Sequence, residues 1–181
     1  MELHTLVDPV RFERILDRMA HQLLEHHDFS DTVLVGLQPR GARLAERLRD
    51  QLSRLGVGSN VRLGKLDVTF HRDDVRMHER PLAPNANDMP FLVEGQRVIL
   101  VDDVLYTGRS IRAGLDALLA YGRPRSVELL VLIDRRFHRE LPIEPQYVGT
   151  TVDSVDAQYV RVDWKEEGGQ DAVVLLQERP A

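Results

Sequence analysis

Apolar residues recur at helical spacing through Phe12, Ile15, Leu16, Met19 and Leu23, directly after an Asp8-Pro9 pair that reads as an N-cap followed by proline at the first helical position. The chain therefore begins with an amphipathic helix. The pattern then changes to a continuous apolar run, Thr32 to Leu37, of the kind expected for a strand covered on both faces, and Gln38-Pro39-Arg40-Gly41 breaks it. Ala42 to Leu55 returns to helix formers, placing Leu44, Leu48, Leu52 and Leu55 on one face, with Gly56 as the stop.

Val61 to Phe70 contains a further strand, and His71 to Pro90 carries mixed charge and proline without a sustained apolar period. A loop of that length in a compact domain serves as a lid or a binding loop. Arg97 to Val101 is the most strand-like run, Ser110 to Tyr121 is a helix ended by Gly122, and Val127 to Ile133 is another central strand. Tyr159 to Trp164 and Ala172 to Gln177 read as a closing hairpin around Gly168-Gly169. Strands alternating with helices predict an α/β fold, a mostly parallel sheet flanked by helices. Such sheets bind ligands beyond the carboxyl ends of their strands, so the loops after Leu37 and Val101 share the ligand edge.

At 181 residues with 43% hydrophobic content, the chain suits one well-buried core, and residues 1–181 read as a single domain. Lys and Arg number 24 against 29 Asp and Glu, a net charge of −5 that provides no global attraction for a polyanion. Any anion site must be local. The chain has no cysteine, which excludes disulfides, thiolate metal sites and cysteine nucleophiles and suits a reducing, cytoplasmic setting. No stretch approaches membrane-spanning length, so no membrane partner is expected. His26-His27 reads as exposed helix surface, since adjacent helical residues diverge.

The candidate chemistry lies in Asp102-Asp103-Val104-Leu105-Tyr106-Thr107-Gly108-Arg109-Ser110, between the run Val98 to Val101 and a helix start. Strand alternation sends the Asp102 and Asp103 carboxylates toward different sides. A carboxylate at this edge can accept hydrogen bonds from ribose hydroxyls or hold a hydrated Mg2+. Thr107 to Ser110 adds two hydroxyls, a glycine that permits close backbone approach, and the amides of a helix N-terminus, a set suited to a phosphate dianion.

This block, Val98 to Ser110, resembles the phosphoribosyl pyrophosphate motif of the type I phosphoribosyltransferases. The resemblance covers nearly the whole chain toward that family's pyrimidine-operon regulators, through Gly36 to Gly41, Leu66 to Asp74 and Asp134 to Gly149. It implies a type I phosphoribosyltransferase-like fold with a long flexible loop and a C-terminal β-hairpin. It also implies a bifunctional protein that makes UMP and pyrophosphate from uracil and phosphoribosyl pyrophosphate with Mg2+, and binds a pyr mRNA leader under UMP control. Two alternatives stand beside it: a salvage enzyme without an RNA role, and a nucleotide-sensing RNA-binding module with negligible catalysis.

The same resemblance implies the site. Asp102 and Asp103 would contact ribose hydroxyls and Mg2+, and Val104 and Leu105 lead into Tyr106, Thr107, Gly108, Arg109 and Ser110, which would wrap the 5-phosphate. Arg40 and Gly41 belong to the pyrophosphate turn, and Arg72 or Arg80 would close over it from the flexible loop. Tyr106 stands where purine-salvage members carry an acid, which favours a pyrimidine. Tyr147 and Val148 would stack on the base, with Asp134, Arg135 and Arg136 nearby. For RNA, Arg14, Arg18 and His21 on one side of the first helix would join Arg40, Arg136 and Arg139 in a basic patch. Gln38, Glu144 and Thr150 stand where basic or hydroxyl-bearing side chains would be expected, so part of that surface is altered. A homodimer or homotetramer is implied as well.

Overall fold

The computed structural model describes residues 2–57, 61–71, 86–154 and 158–177. The strands are β1 (Glu2–Val7), β2 (Thr32–Leu37), β3 (Arg62–Leu66), β4 (Arg97–Leu105), β5 (Ser126–Arg135), β6 (Tyr147–Val152), β7 (Tyr159–Asp163) and β8 (Ala172–Leu176), and the α-helices are α1 (Pro9–His26), α2 (Arg40–Leu52) and α3 (Arg109–Leu118). Five strands form one sheet in the order β3-β2-β4-β5-β6, every neighbouring pair parallel. A smaller antiparallel sheet, β1-β8-β7, holds the expected C-terminal hairpin.

The two faces of the large sheet bury different partners, as strand alternation requires. Leu34, Ile99, Val101, Leu130 and Leu132 pack with Phe12, Met19 and Leu23 of α1 and Leu44 and Leu48 of α2. Val33, Val35, Val98, Leu100 and Val131 face the other way, onto Ile111, Ala113, Ala117 and Leu118 of α3. Burying each large apolar side chain is worth about 1.5–3 kcal/mol, so the sheet position is set from both sides. Helix α1 starts where the sequence places it: the Asp8 side chain accepts the Arg11 amide at 2.8 Å, with Pro9 in the first turn.

Four features differ from the sequence reading. Strand β1 is not signalled by Glu2 to Val7, because its pairing partner β8 lies at the far end of the chain. Helix α2 ends at Leu52 and passes through a wider turn, Ser53–Val57, with Gly56 at φ 96°, which leaves Leu55 41% exposed. Strand β4 continues through Asp102 and Asp103 to Leu105, so the acids sit on the strand rather than beyond it. His26 is exposed as expected, but the His27 side chain is 2% exposed. Among the described residues, no helix is long and apolar enough to cross a membrane.

Candidate active site

Strands β2 and β4 run parallel and adjacent, so the Gln38-Pro39-Arg40 turn and the Asp102 to Ser110 block emerge at one edge. The Gln38–Pro39 bond is cis. The turn lies directly on β4: a Cβ on Gly41 would stand 2.4 Å from the Val101 carbonyl oxygen and 2.9 Å from the Asp102 Cα. Only glycine permits that approach.

Each acid accepts the backbone N–H that follows it, Asp102 Oδ1 from Asp103 at 2.9 Å and Asp103 Oδ1 from Val104 at 2.8 Å. The second oxygen of Asp103 is buried without a hydrogen bond, 4.0 Å from a guanidinium nitrogen of Arg40. Burial pushes the Asp103 carboxyl above its ordinary range, and Arg40 together with the local amides offsets this only in part.

Two cavities of about 270 and 280 Å3 meet at Asp102, Val104, Tyr106 and Ser110. The first is bounded by Arg40, Asp103, Arg135 and the β7 residues Tyr159 and Val160; the second by Leu105, Thr107, Gly108, Arg109 and Glu140. Gly108 caps α3 with φ 92°, so the first-turn amides and positive dipole end of the helix face the second cavity. The whole Asp102 to Ser110 block therefore lines one continuous cleft.

The segment after β5 braces that block. The Thr107 carbonyl accepts the amides of Glu140 at 3.0 Å and Leu141 at 3.2 Å, while the Glu140 side chain holds Arg109 at 2.6 Å. Arg135 is 3% exposed, its Nε donating to Ser154 Oγ at 3.0 Å and an Nη to the Gln158 carbonyl at 2.9 Å. Its guanidinium lies 4.0 Å from the Tyr106 ring centroid, and the His138 ring meets the same tyrosine edge-on at 5.6 Å. Tyr106 is thus clamped on a cation and an imidazole.

Several expected site residues lie elsewhere. Tyr147 begins β6, at the amino end of a parallel strand and so opposite the cleft. Its hydroxyl donates to Glu128 at 2.9 Å and lies 2.8 Å from His27 Nε2, within the core. Val148 packs beside the other core cluster. Neither reaches the cleft; Tyr159 and Val160 of β7 do. Arg139 turns inward, donating to the Tyr106 carbonyl and Asp134, and so leaves the expected outward patch. Arg136 is paired with Asp153 at 2.9 Å, and Arg18 donates to the Val148 and Gly149 carbonyls on the edge strand. Arg14 is exposed, and so is His21, whose Nδ1 lies 2.8 Å from the Asp17 carbonyl. Arg72 and Arg80 lie outside the described residues; at the far end of their loop, Asp88 pairs with Lys65, and the Ala86 carbonyl accepts the Gln38 side chain at 2.6 Å.

The resemblance names Arg135 only as lying near the base; its place against Tyr106 has a local signal as well, the end of the apolar run Leu129 to Ile133 in Asp134-Arg135.

A family model described as the phosphoribosyl transferase domain matches residues 4–167. The chain is 43% identical over 171 residues to a bifunctional protein PyrR of Elusimicrobium minutum, covering 93% of this chain and 94% of that one. It is likewise 43% identical to a bifunctional protein pyrR of Enterococcus faecalis, covering 94% of each. Among solved structures, a hypoxanthine phosphoribosyltransferase of Staphylococcus aureus superposes with a TM-score of 0.72 at 18% identity, covering 97% of this chain and 91% of that one. A hypoxanthine-guanine phosphoribosyltransferase of Bacillus anthracis gives 0.73 at 15%, covering 97% and 99%. Those two likenesses concern the fold.

Proposed function

We propose, from the premise that this chain belongs to the phosphoribosyltransferase family and to its PyrR branch, that it converts uracil and phosphoribosyl pyrophosphate to UMP and pyrophosphate and binds a pyr mRNA leader under UMP control. The observation that carries the reading is convergence. The Arg40-Gly41 turn follows β2, the Asp102-Asp103 pair and the Tyr106 to Ser110 helix start lie at the end of β4, and together they border one cleft.

In the proposed reaction a bond forms between uracil N1 and ribose C1 as the bond from C1 to the pyrophosphate oxygen breaks. Pyrophosphate keeps the electron pair, and the N1 proton passes to water. The chain supplies alignment and charge rather than a covalent partner. Thr107, Ser110 and the first amides of α3 hold the 5-phosphate. The helix field contributes about 0.3–1 kcal/mol, so the directed hydrogen bonds supply most of the affinity. Asp102 and Asp103 receive the ribose hydroxyls, Arg40 and the Gly41 amide receive the pyrophosphate, and Arg72, outside the described residues, would add a second guanidinium to it. Tyr159 and Val160 bound the space left for the base.

The donor set fits Mg2+. Carboxylate oxygens are the hard ligands this ion prefers, and Asp103 retains a buried oxygen without a hydrogen bond. Among the described residues, no group of three or more His, Asp or Glu forms a protein cage, so Asp102 and Asp103 leave room for substrate and water ligands. When bound, Mg2+ would neutralise charge on the departing pyrophosphate.

Turnover of phosphoribosyl pyrophosphate and Mg2+ with a panel of uracil, cytosine, hypoxanthine and guanine tests the enzyme half. UMP formation from uracil in preference to the other bases is expected; selective turnover of a purine overturns it. The RNA half rests on Arg14, Arg18 and His21 along the exposed side of α1, with Arg136 as a further cation. Gel-shift of a pyr leader hairpin should show binding enhanced by UMP. The inward turn of Arg139 and the Arg136–Asp153 pair favour a second reading, a uracil phosphoribosyltransferase without an RNA role, and absence of any shift would select it. The reading places the protein in the cytoplasm as a homodimer or homotetramer, which light scattering would resolve.

A further inference from the structure

Helix α2 begins at the pyrophosphate turn, and Arg40, Arg43 and Arg47 follow at i, i+3 and i+7 on one face. Arg40 reaches a carboxylate on β4, while Arg43 and Arg47 reach carboxylates in the segment after β7. Arg40 faces Asp103 of β4, and Arg43 binds Glu167 at 2.5 Å. Arg47 makes a double fork. Its Nε and Nη2 donate to Glu166 at 3.1 and 2.6 Å, and its Nη1 and Nη2 donate to Asp171 at 2.8 and 2.7 Å. Asp171 also accepts the Lys165 amide at 2.9 Å, which closes the turn after β7.

This pairing is not a loose surface contact. The Arg47 side chain is 12% exposed and that of Asp171 15%. The guanidinium lies 5.1 Å from the Trp164 ring and 5.8 Å from Phe12, rings that pack edge to face at 5.4 Å. Burial pushes the Glu166 and Asp171 carboxyls up, yet hydrogen bonds from Arg47 leave both below the ordinary range. A bidentate, half-buried arginine holds geometry in a way an exposed pair does not.

The location connects this pairing to the cleft. Trp164 directly follows β7, whose opposite end carries Tyr159 and Val160 into the cleft facing Arg40 and Asp103. A β-strand transmits displacement along its length, and β7 spans only five residues between anchor and cleft. The 5-phosphate cradle, by contrast, is carried by β4 and α3 and braced by Glu140 and Leu141. Arg135 is a shared contact, holding the Gln158 carbonyl beside β7 and stacking on Tyr106; beyond it, the base side leans on α2 through Arg47 and the phosphate side on Glu140 and Leu141.

We infer that Arg47, through Glu166 and Asp171, is a positioning residue that sets the spacing between the β7 wall and the Arg40 turn, and so governs recognition of the base but not of ribose 5-phosphate. This rests on the proposed nucleotide site. Arg47 touches no reactant; its effect passes through Trp164 and β7.

The test is calorimetric titration of the full-length protein with UMP and, separately, ribose 5-phosphate, for wild type, Arg47→Met and Arg47→Lys. Methionine keeps an apolar stem between Phe12 and Trp164 and removes both forks. The expected result for Arg47→Met is ribose 5-phosphate affinity within about twofold of wild type and a roughly tenfold loss of the UMP advantage over ribose 5-phosphate, with partial rescue in Arg47→Lys. An unchanged UMP advantage in Arg47→Met, or equal losses for the two ligands, overturns the inference. Should Arg47→Met fail to fold by circular dichroism, the near-isosteric Asp171→Asn carries the same comparison with the same outcomes. A wild-type protein that binds UMP no better than ribose 5-phosphate would instead remove the nucleotide site itself, and this inference with it.

Discussion

Asp103 Oδ2 lies buried 4.0 Å from the Arg40 guanidinium, too far for a hydrogen bond, so the site holds an ionisable oxygen that the fold itself does not satisfy. Burial raises the carboxyl above its ordinary range. A raised carboxyl favours the protonated folded form, so its stabilising contribution is complete below the unfolded value of about 3.9 and is lost as pH rises through the folded one. As pH rises past that range, keeping the Asp103 carboxyl buried becomes a cost that function retains. Asp103→Asn is expected to melt higher at pH 7.5, by about 2–4 °C per kcal/mol recovered, with the difference shrinking as pH falls. The same variant should lose UMP synthesis by about a hundredfold. Unchanged kinetics would remove Asp103 from the site.

The Gly41 contact gives a second expectation. A Cβ there would meet backbone at 2.4 and 2.9 Å, which no side-chain rotation relieves. Gly41→Ala should push the pyrophosphate turn off β4, costing about 1–3 kcal/mol by denaturant unfolding and raising the KM for phosphoribosyl pyrophosphate about tenfold. Wild-type values for both would show that the turn moves independently of β4.

Phe137 has φ 81° and a side chain 73% exposed. A non-glycine residue in that region stores roughly 1–3 kcal/mol, and its ring recovers little beyond the Arg136 guanidinium at 5.8 Å. Glycine would relieve the strain against roughly 0.5–1 kcal/mol of added chain entropy. Phe137→Gly should therefore stabilise by about 1 kcal/mol, read as a rise of about 2–4 °C in Tm. A fall in Tm would mean that the ring packs more tightly than its exposure implies.

What the sequence made legible follows from how local each signal is. The large sheet, its helices and the Asp102 to Ser110 block rest on contiguous patterns: apolar runs, helical spacing, and acids at the end of a buried strand. Strand β1 rests on pairing with residues at the other end of the chain, which no local pattern announces. The resemblance points to Tyr147-Val148 for the base, whereas Tyr159 and Val160, brought over by the small sheet, line the cleft. Sequence leaves Arg139 an outward cation because its inward partners, the Tyr106 carbonyl and Asp134, are set by how one loop folds across another. Helical phase leaves His27 on the surface because it does not reveal Glu128 and Tyr147 packing against it.

That buried histidine supplies the last expectation. Because the Tyr147 hydroxyl donates to Glu128, the 2.8 Å contact between His27 Nε2 and Tyr147 Oη is best made by a neutral ring with its proton on Nε2. Nδ1 is then a buried acceptor without a partner, and protonation would place a second N–H there with nothing to receive it. Burial accordingly lowers the His27 pKa, more than Glu128 at 3.1 Å raises it. A lowered histidine pKa gives stability that is present above the unfolded value of about 6.5 and is lost as pH falls toward the folded one. Wild type should therefore lose more Tm between pH 7.5 and 5.5 than His27→Gln does, by about 2–4 °C for each kcal/mol of linkage. The cluster sits at the amino end of β6, away from the cleft, so UMP synthesis at saturating substrates should be unchanged in that variant. Parallel Tm profiles for the two proteins would mean that burial and Glu128 cancel at His27, and a smaller loss in wild type would mean that Glu128 rather than burial decides its state.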